Sequence, residues 1–190
     1  MLALALGSCG ATVSNAQDSQ AVQVASGATA EISATGETAP ERSAELKKLF
    51  EGLLADHAAG KTDKVRAAIN GLKLTGHEKW FAETFNEDKV RGLTAEYDEM
   101  LAAFDQEFGK LLEKVAKGGN REVLVYMITP DGAAKEATGL QKDALAAMKK
   151  KHPLFTVKLV KPGESIGISV WSIVLQDGSF RFIGKMRKIK

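Results

Sequence analysis

Residues 166–187 read IGISVWSIVLQDGSFRFIGKMR, and the way this stretch folds decides the class of the domain. Two runs rich in β-branched and aromatic residues flank Gln176-Asp177-Gly178-Ser179. Asp-Gly is the preferred pair for a two-residue type I′ turn, because both central positions need a positive φ. The pattern predicts a hairpin with strands over 166–175 and 180–187. On its second strand Phe180, Phe182, Gly184 and Met186 would share one face. Arg181, Ile183, Lys185 and Arg187 would share the other, a mostly solvated one.

Working back from the hairpin, LFTVKLV at 154–160 predicts another strand, closed by the turn pair Pro162-Gly163. Before it, residues 138–151 carry Leu140, Ala144, Leu145 and Met148 at helical spacing. Lys149, Lys150 and Lys151 would meet the negative end of that helix, and His152-Pro153 would stop it. EVLVYMI at 122–128 predicts the first strand, closed by Pro130-Asp131-Gly132.

The strongest helical period lies further back, over 88–117. Val90, Leu93, Tyr97, Leu101, Phe104, Phe108, Leu111, Leu112 and Val115 form one apolar stripe, and Gly118-Gly119 ends it. HEKWFAETF at 77–85 predicts a short helix carrying Trp80, Phe81 and Phe85. Residues 43–59 predict the first helix, with Leu46, Phe50 and Leu53 on its apolar side, and Thr62 is expected to cap the second. Helices gathered first and antiparallel strands last indicate an α+β fold. The expected architecture is N-terminal helices packed on a curved, mainly antiparallel four-stranded sheet, with the long helix in its concave face.

This arrangement, with the closing hairpin residues Trp171, Ile173, Asp177, Gly178, Phe180, Arg181, Phe182 and Gly184, resembles the NTF2-like superfamily of cone-shaped domains. It is most similar to exported bacterial members and covers about residues 75–188. The helix at 138–151, between the first two strands, departs from the commonest order of that family. The resemblance implies an apolar cavity inside the cone, used by some members for isomerase or dehydratase chemistry and by many others without catalysis.

The N-terminal part has a different character. Residues 2–6 are apolar, and Gly7, Ser8, Gly10, Ala11 and Thr12 are small. That run is too short for a bilayer span of about 20 residues but suits the apolar core of a secretory signal. Residues 1–16 read as a leader that lacks the usual basic start, as if an upstream segment were missing. Leu6-Gly7-Ser8-Cys9 resembles the bacterial lipobox, which implies cleavage before Cys9 and lipidation there. The rival is Ser14-Asn15-Ala16, a pattern for cleavage before Gln17 and soluble export. Residues 17–40 lack Leu and aromatic side chains and read as a disordered tether, leaving 41–190 as a single α+β domain.

Charge names no nucleic-acid partner. The chain carries +2 overall; Asp18, Glu31 and Glu37 are the only charged residues before Glu41, so the domain carries +5. That falls short of a nucleic-acid footprint. The single cysteine rules out an intrachain disulfide.

Candidate chemistry is sparse. His57 lies on an apolar helical stripe, His77 begins HEKWF without the second histidine of an HExxH helix, and His152 precedes a proline. Nothing in their spacing unites them as metal ligands, so no metal and no cofactor is expected. Asp177 serves the turn, and Asp98, Glu99, Asp105 and Glu107 read as solvated charges. Trp80, Phe81, Phe85, Tyr97, Trp171, Phe180 and Phe182 form the one conspicuous group. They read either as core packing or as the lining of a pocket for an apolar ligand. The favoured expectation is a cell-envelope lipoprotein whose domain binds or scaffolds, with no catalytic residue assigned. It would be held to a membrane through Cys9, facing the periplasm or exterior. Its partner would be a small apolar ligand or an envelope protein, and a homodimer is compatible with an open sheet. A soluble exported binding protein and a small isomerase or hydrolase are the alternatives.

Overall fold

The computed structural model describes residues 38–131 and 135–189. The leader, Cys9 and the tether up to residue 37 lie outside the described residues.

Five α-helices and four strands follow the expected order: α1 Ala39–Ala58, α2 Thr62–Gly71, α3 His77–Thr84, α4 Glu87–Gly118, β1 Glu122–Ile128, α5 Gly139–Ala147, β2 Leu154–Val160, β3 Gly167–Gln176 and β4 Ser179–Phe182. A 3-10 turn, Arg187–Ile189, follows β4. The four strands form one sheet in the order β1-β2-β3-β4, and all three pairings are antiparallel. The fold is α+β.

Helix α1 starts at Ala39, inside the stretch assigned to the tether. The Glu41 carboxylate accepts the Thr38 N–H at 2.6 Å and the Thr38 hydroxyl at 2.9 Å, and those bonds hold the Glu41 pKa below its ordinary value. Pro40 fits the first turn because its missing N–H has no helical partner there. Lys61, not Thr62, is the N-cap of α2; Thr62 is its first helical residue.

Helix α5 ends at Ala147, earlier than the predicted 151. Met148 leaves the helix to bridge Phe85, and the N–H groups of Lys149 and Lys150 donate to the Thr84 carbonyl. A tertiary bond thus replaces the last helical turn. Of the three lysines, Lys151 does reach the helix end, its Nζ lying 2.6 Å from the Leu145 carbonyl oxygen. At the other end Thr138 and Gln141 cap each other reciprocally. The buried Gln141 amide then donates to the Thr156 hydroxyl at 3.0 Å, which ties α5 to β2.

Strand alternation divides the apolar residues between two clusters. One contains Val123, Phe155, Val157, Leu159 and Val170 with Leu46 and Phe50 of α1 and Phe104, Phe108 and Leu112 of α4. The other contains Ile128, Leu154 and Val174 with Trp80, Phe81, Phe85, Leu145 and Ile183. Helix α4, about 48 Å long at 1.5 Å per residue, joins both, because Leu93 and Tyr97 belong to the second cluster.

The hairpin turn forms where expected. Gln176 pairs with Ser179, and Asp177 and Gly178 have φ of 50° and 74°. Its second strand is much shorter than predicted. β4 stops at Phe182, Gly184 turns the chain at φ 85°, and Met186 adopts φ 54°. Ile183 is consequently buried at 2% exposure, not on a solvated face.

Replacing Gly178 with alanine forces a Cβ into the left-handed region and is expected to destabilise the domain by roughly 1–2 kcal/mol. Urea denaturation of Gly178→Ala beside the parent measures it. An unchanged midpoint would show that the turn does not hold the hairpin.

Candidate functional site

The candidate site is an open groove of about 740 Å³ between α4 and β3. Its floor is apolar, with Met100, Phe104, Phe108 and Leu111 of α4 facing Ile168, Val170 and Trp171 of β3. Residues 182–187 close one end. Charged side chains stand along the rim: Glu96, Glu99, Glu107, Lys110 and Lys114 on α4, and Lys185 and Arg187 after β4. Lys110 is paired with Glu107 at 2.8 Å, and Glu96 accepts the Lys188 N–H at 3.0 Å.

A β-bulge shapes the wall. Val157 pairs with Val170 but Phe155 pairs with Ile173, so Trp171 and Ser172 together stand opposite Thr156. Ser172, buried at 2% exposure, takes φ 61° to absorb the extra residue. Such a bulge breaks strict alternation and re-aims a side chain. Here Trp171 lines the groove while Ile173 returns to the core.

Tyr97 fixes the end of the groove. Its ring is 1% exposed. The hydroxyl accepts the Leu74 N–H at 2.7 Å and donates to the Phe182 carbonyl at 3.1 Å. Burial pushes the phenol pKa up to about 12, against smaller lowering effects from the Leu74 N–H and Arg181. The His77 ring lies 4.9 Å from the Tyr97 ring, and its Nε2 is 2.8 Å from Asp98 Oδ1. That pair clamps the start of α3 against α4.

The seven aromatic residues singled out from sequence do not converge on one site. Tyr97, Trp171 and Phe182 line the groove. Trp80, Phe81 and Phe85 instead pack on one another and on Tyr97, with Trp80 and Phe81 edge to face at 5.5 Å. Phe180 packs edge to face on Phe155 at 5.6 Å inside the first cluster. Sequence reasoning missed the α4 floor, since Phe104, Phe108 and Leu111 belong to a stripe that reads as ordinary core and Met100 lies outside that stripe.

The histidines stay apart. None of the three lines the groove. His152 is half-buried with its ring 5.7 Å from that of Trp80, and desolvation, helped by Lys150, lowers its pKa. Among the described residues no three His, Cys, Asp or Glu side chains gather as a metal site, and no helix is long and apolar enough to cross a membrane. No protein-family model, curated protein or solved structure matches the chain.

Removing the Tyr97 hydroxyl leaves the Leu74 N–H and Phe182 carbonyl without their partner. Tyr97→Phe is therefore expected to cost about 1–3 kcal/mol in chemical denaturation. The folded pKa lies above the ordinary value of 10, so the native state holds its proton longer than the unfolded chain. This contribution is full below pH 10 and declines as pH rises through about 12. Stability curves of parent and Tyr97→Phe should converge over that interval, and parallel curves would refute the assignment.

Proposed function

We propose that the chain is a cell-envelope lipoprotein whose α+β domain is an NTF2-like cone working as a binding module. The observation that carries the binding reading is the groove: a large apolar floor with its charges confined to the rim. Ligand sites commonly have this make-up, with apolar walls for affinity and a few polar groups for orientation. The volume falls in the range of about 300–1,000 Å³ typical of such sites. Trp171, aimed into the groove by the bulge, is its aromatic anchor, with Tyr97 and Phe182 at one end.

Support for the NTF2-like reading is the succession of helices before a meander of strands, closed by the Asp177-Gly178 hairpin. Helix α5 between β1 and β2 is this chain's own insertion in that pattern. The envelope address rests on Leu6-Gly7-Ser8-Cys9 and the apolar run before it. Acyl chains on Cys9 would anchor the protein, because each buried methylene contributes about 0.8 kcal/mol.

Two measurements test the two halves of this reading. Intact-mass analysis of the protein recovered from the envelope should find a chain that begins at an acylated Cys9. A mature chain that begins at Gln17 or retains Met1 removes the anchor. Titration with the apolar probe N-phenyl-1-naphthylamine should show saturable binding that Trp171→Ala weakens at least about tenfold, as expected from about 1.5–3 kcal/mol for a large buried apolar side chain. Absence of saturable binding would eliminate the groove as a site for small apolar ligands.

A further inference from the structure

The groove lies where a strand is missing. β3 spans Gly167–Gln176, but β4 pairs only with Ile173, Val174, Leu175 and Gln176. One more bond follows, from the Ile183 N–H to the Ser172 carbonyl at 3.0 Å, and then Gly184 turns the chain away. Over 167–171 the β3 edge facing away from β2 has no strand beside it. Among the described residues no hydrogen bond from another element reaches that edge. Residues 168–171 line the groove, and α4 continues beneath with Phe104, Phe108 and Leu111. Just before this edge stands Ile166, 83% exposed, the one strongly exposed large hydrophobic side chain among the described residues.

An unpaired edge presents N–H and C=O groups that template another strand. A sheet edge beside an apolar groove suits strand addition, in which main-chain bonds supply affinity and pockets read alternate side chains. A lipid or small apolar ligand fills the floor but leaves the edge groups to water. An extended polypeptide satisfies both. Five residues of edge offer about 17 Å, the length of an ordinary short strand.

The rim supplies the charge preference. Lys110 and Glu107 neutralise each other, and Glu96 is turned to the Lys188 N–H. Lys114, Lys185 and Arg187 have no ion-pair or hydrogen-bond partner among the described residues, and Glu99 is the only rim carboxylate in the same state. Glu96 keeps its charge, so over the whole rim four cations stand against three carboxylates, and the surplus of one positive charge favours an acidic segment. It also disfavours a second copy of this chain, since a two-fold pairing through the same edge sets like rims beside each other.

We propose that the groove takes an extended acidic segment of another protein as an added strand along residues 167–171. Apolar side chains at alternate positions enter the floor, and Asp or Glu between them meet Lys114, Lys185 and Arg187. This rests on the reading of the groove as the binding site.

The test pans a phage-displayed random dodecapeptide library against the full chain. The best binder is then synthesised and titrated by the fluorescence of Trp171 in Trp80→Phe, which removes the other of the two tryptophans. Calorimetry on the parent gives the same constant without relying on that variant. The selected peptides should alternate apolar residues with Asp or Glu. N-methylation of alternate peptide amides should weaken binding at least about tenfold, whereas methylation of the intervening amides should not, because only one set faces the edge. Lys185→Glu with Arg187→Glu should weaken it by a similar factor. A library without binders overturns the proposal, as does a binder indifferent to N-methylation. If N-phenyl-1-naphthylamine binds and no peptide does, the strand proposal fails while the groove reading stands; if neither binds, both fail. Sedimentation revealing a dimer whose formation blocks peptide binding would identify a second copy as the occupant and overturn the proposal.

Discussion

The arrangement of the domain depends on the way both main-chain groups of Phe182 are consumed. Its N–H donates to the Leu72 carbonyl at 2.7 Å, and its carbonyl accepts the Tyr97 hydroxyl. Those bonds lash the last residue of β4 to the connection between α2 and α3 and to the long helix. The neighbouring Arg181 guanidinium donates to the carbonyl of Gly71, the last residue of α2, so the outer edge of β4 is closed by the end of α2 and the connection that follows it. Both Phe182 groups face away from β3, whose pairing runs one bond further, from the Ile183 N–H to the Ser172 carbonyl, and ends there. The chain turns at Gly184 and runs to the 3-10 turn, where Met186 and Ile189 complete the second apolar cluster.

From that early stop follow both the burial of Ile183 and the groove. A longer β4 would have covered 167–171 of β3 and filled the space above Phe104 and Phe108. Instead α4 and β3 diverge with apolar surface between them. The bulge at Trp171 and Ser172 belongs to the same region. Ser172 is the last β3 residue bonded to the chain beyond β4, and its left-handed backbone marks the point where the fully paired half of β3 gives way to the half with one neighbour. Backbone in that region costs a non-glycine residue on the order of 1–3 kcal/mol and persists only where its surroundings enforce it. Here the Ser172 carbonyl is held by Ile183 while Phe155 and Ile173 lock the strand on the other side.

Helix α4 links the core to the groove. Its stripe joins two clusters that the sheet would otherwise separate, and Tyr97 sits where they meet. Middle positions of the helix, Met100 and Phe104, touch the core on one side and the groove on the other. One run of side chains therefore serves both the core and the floor of the groove. Phe104 belongs to both, whereas Trp171 and the rim charges line the groove and lie outside the buried clusters.

Much of this was legible in the residues. The period of α4, the alternation in β1 and β2 and the Asp177-Gly178 turn each follow from local chemistry: one apolar stripe at helical spacing, β-branched residues between turn signals, and a pair able to adopt positive φ. The α+β class follows from their order. Helix ends were less legible, as at Met148, because bonds between distant segments compete with the last helical turn. The site itself was the least legible. Tyr97, Trp171 and Phe182 look no different in sequence from Trp80, Phe81, Phe85 and Phe180, since an aromatic side chain satisfies a core and a groove equally well. Only tertiary contacts separate them: the bonds that tie Phe182 to Leu72 and Tyr97, the extra residue opposite Thr156, and the course of a long helix past a strand edge left without a neighbour. Local sequence determined which elements form, because their bonds close within a few residues. Where one strand stops and another stays uncovered was decided by hydrogen bonds between segments as far apart as Leu72 and Phe182, which no local pattern encodes.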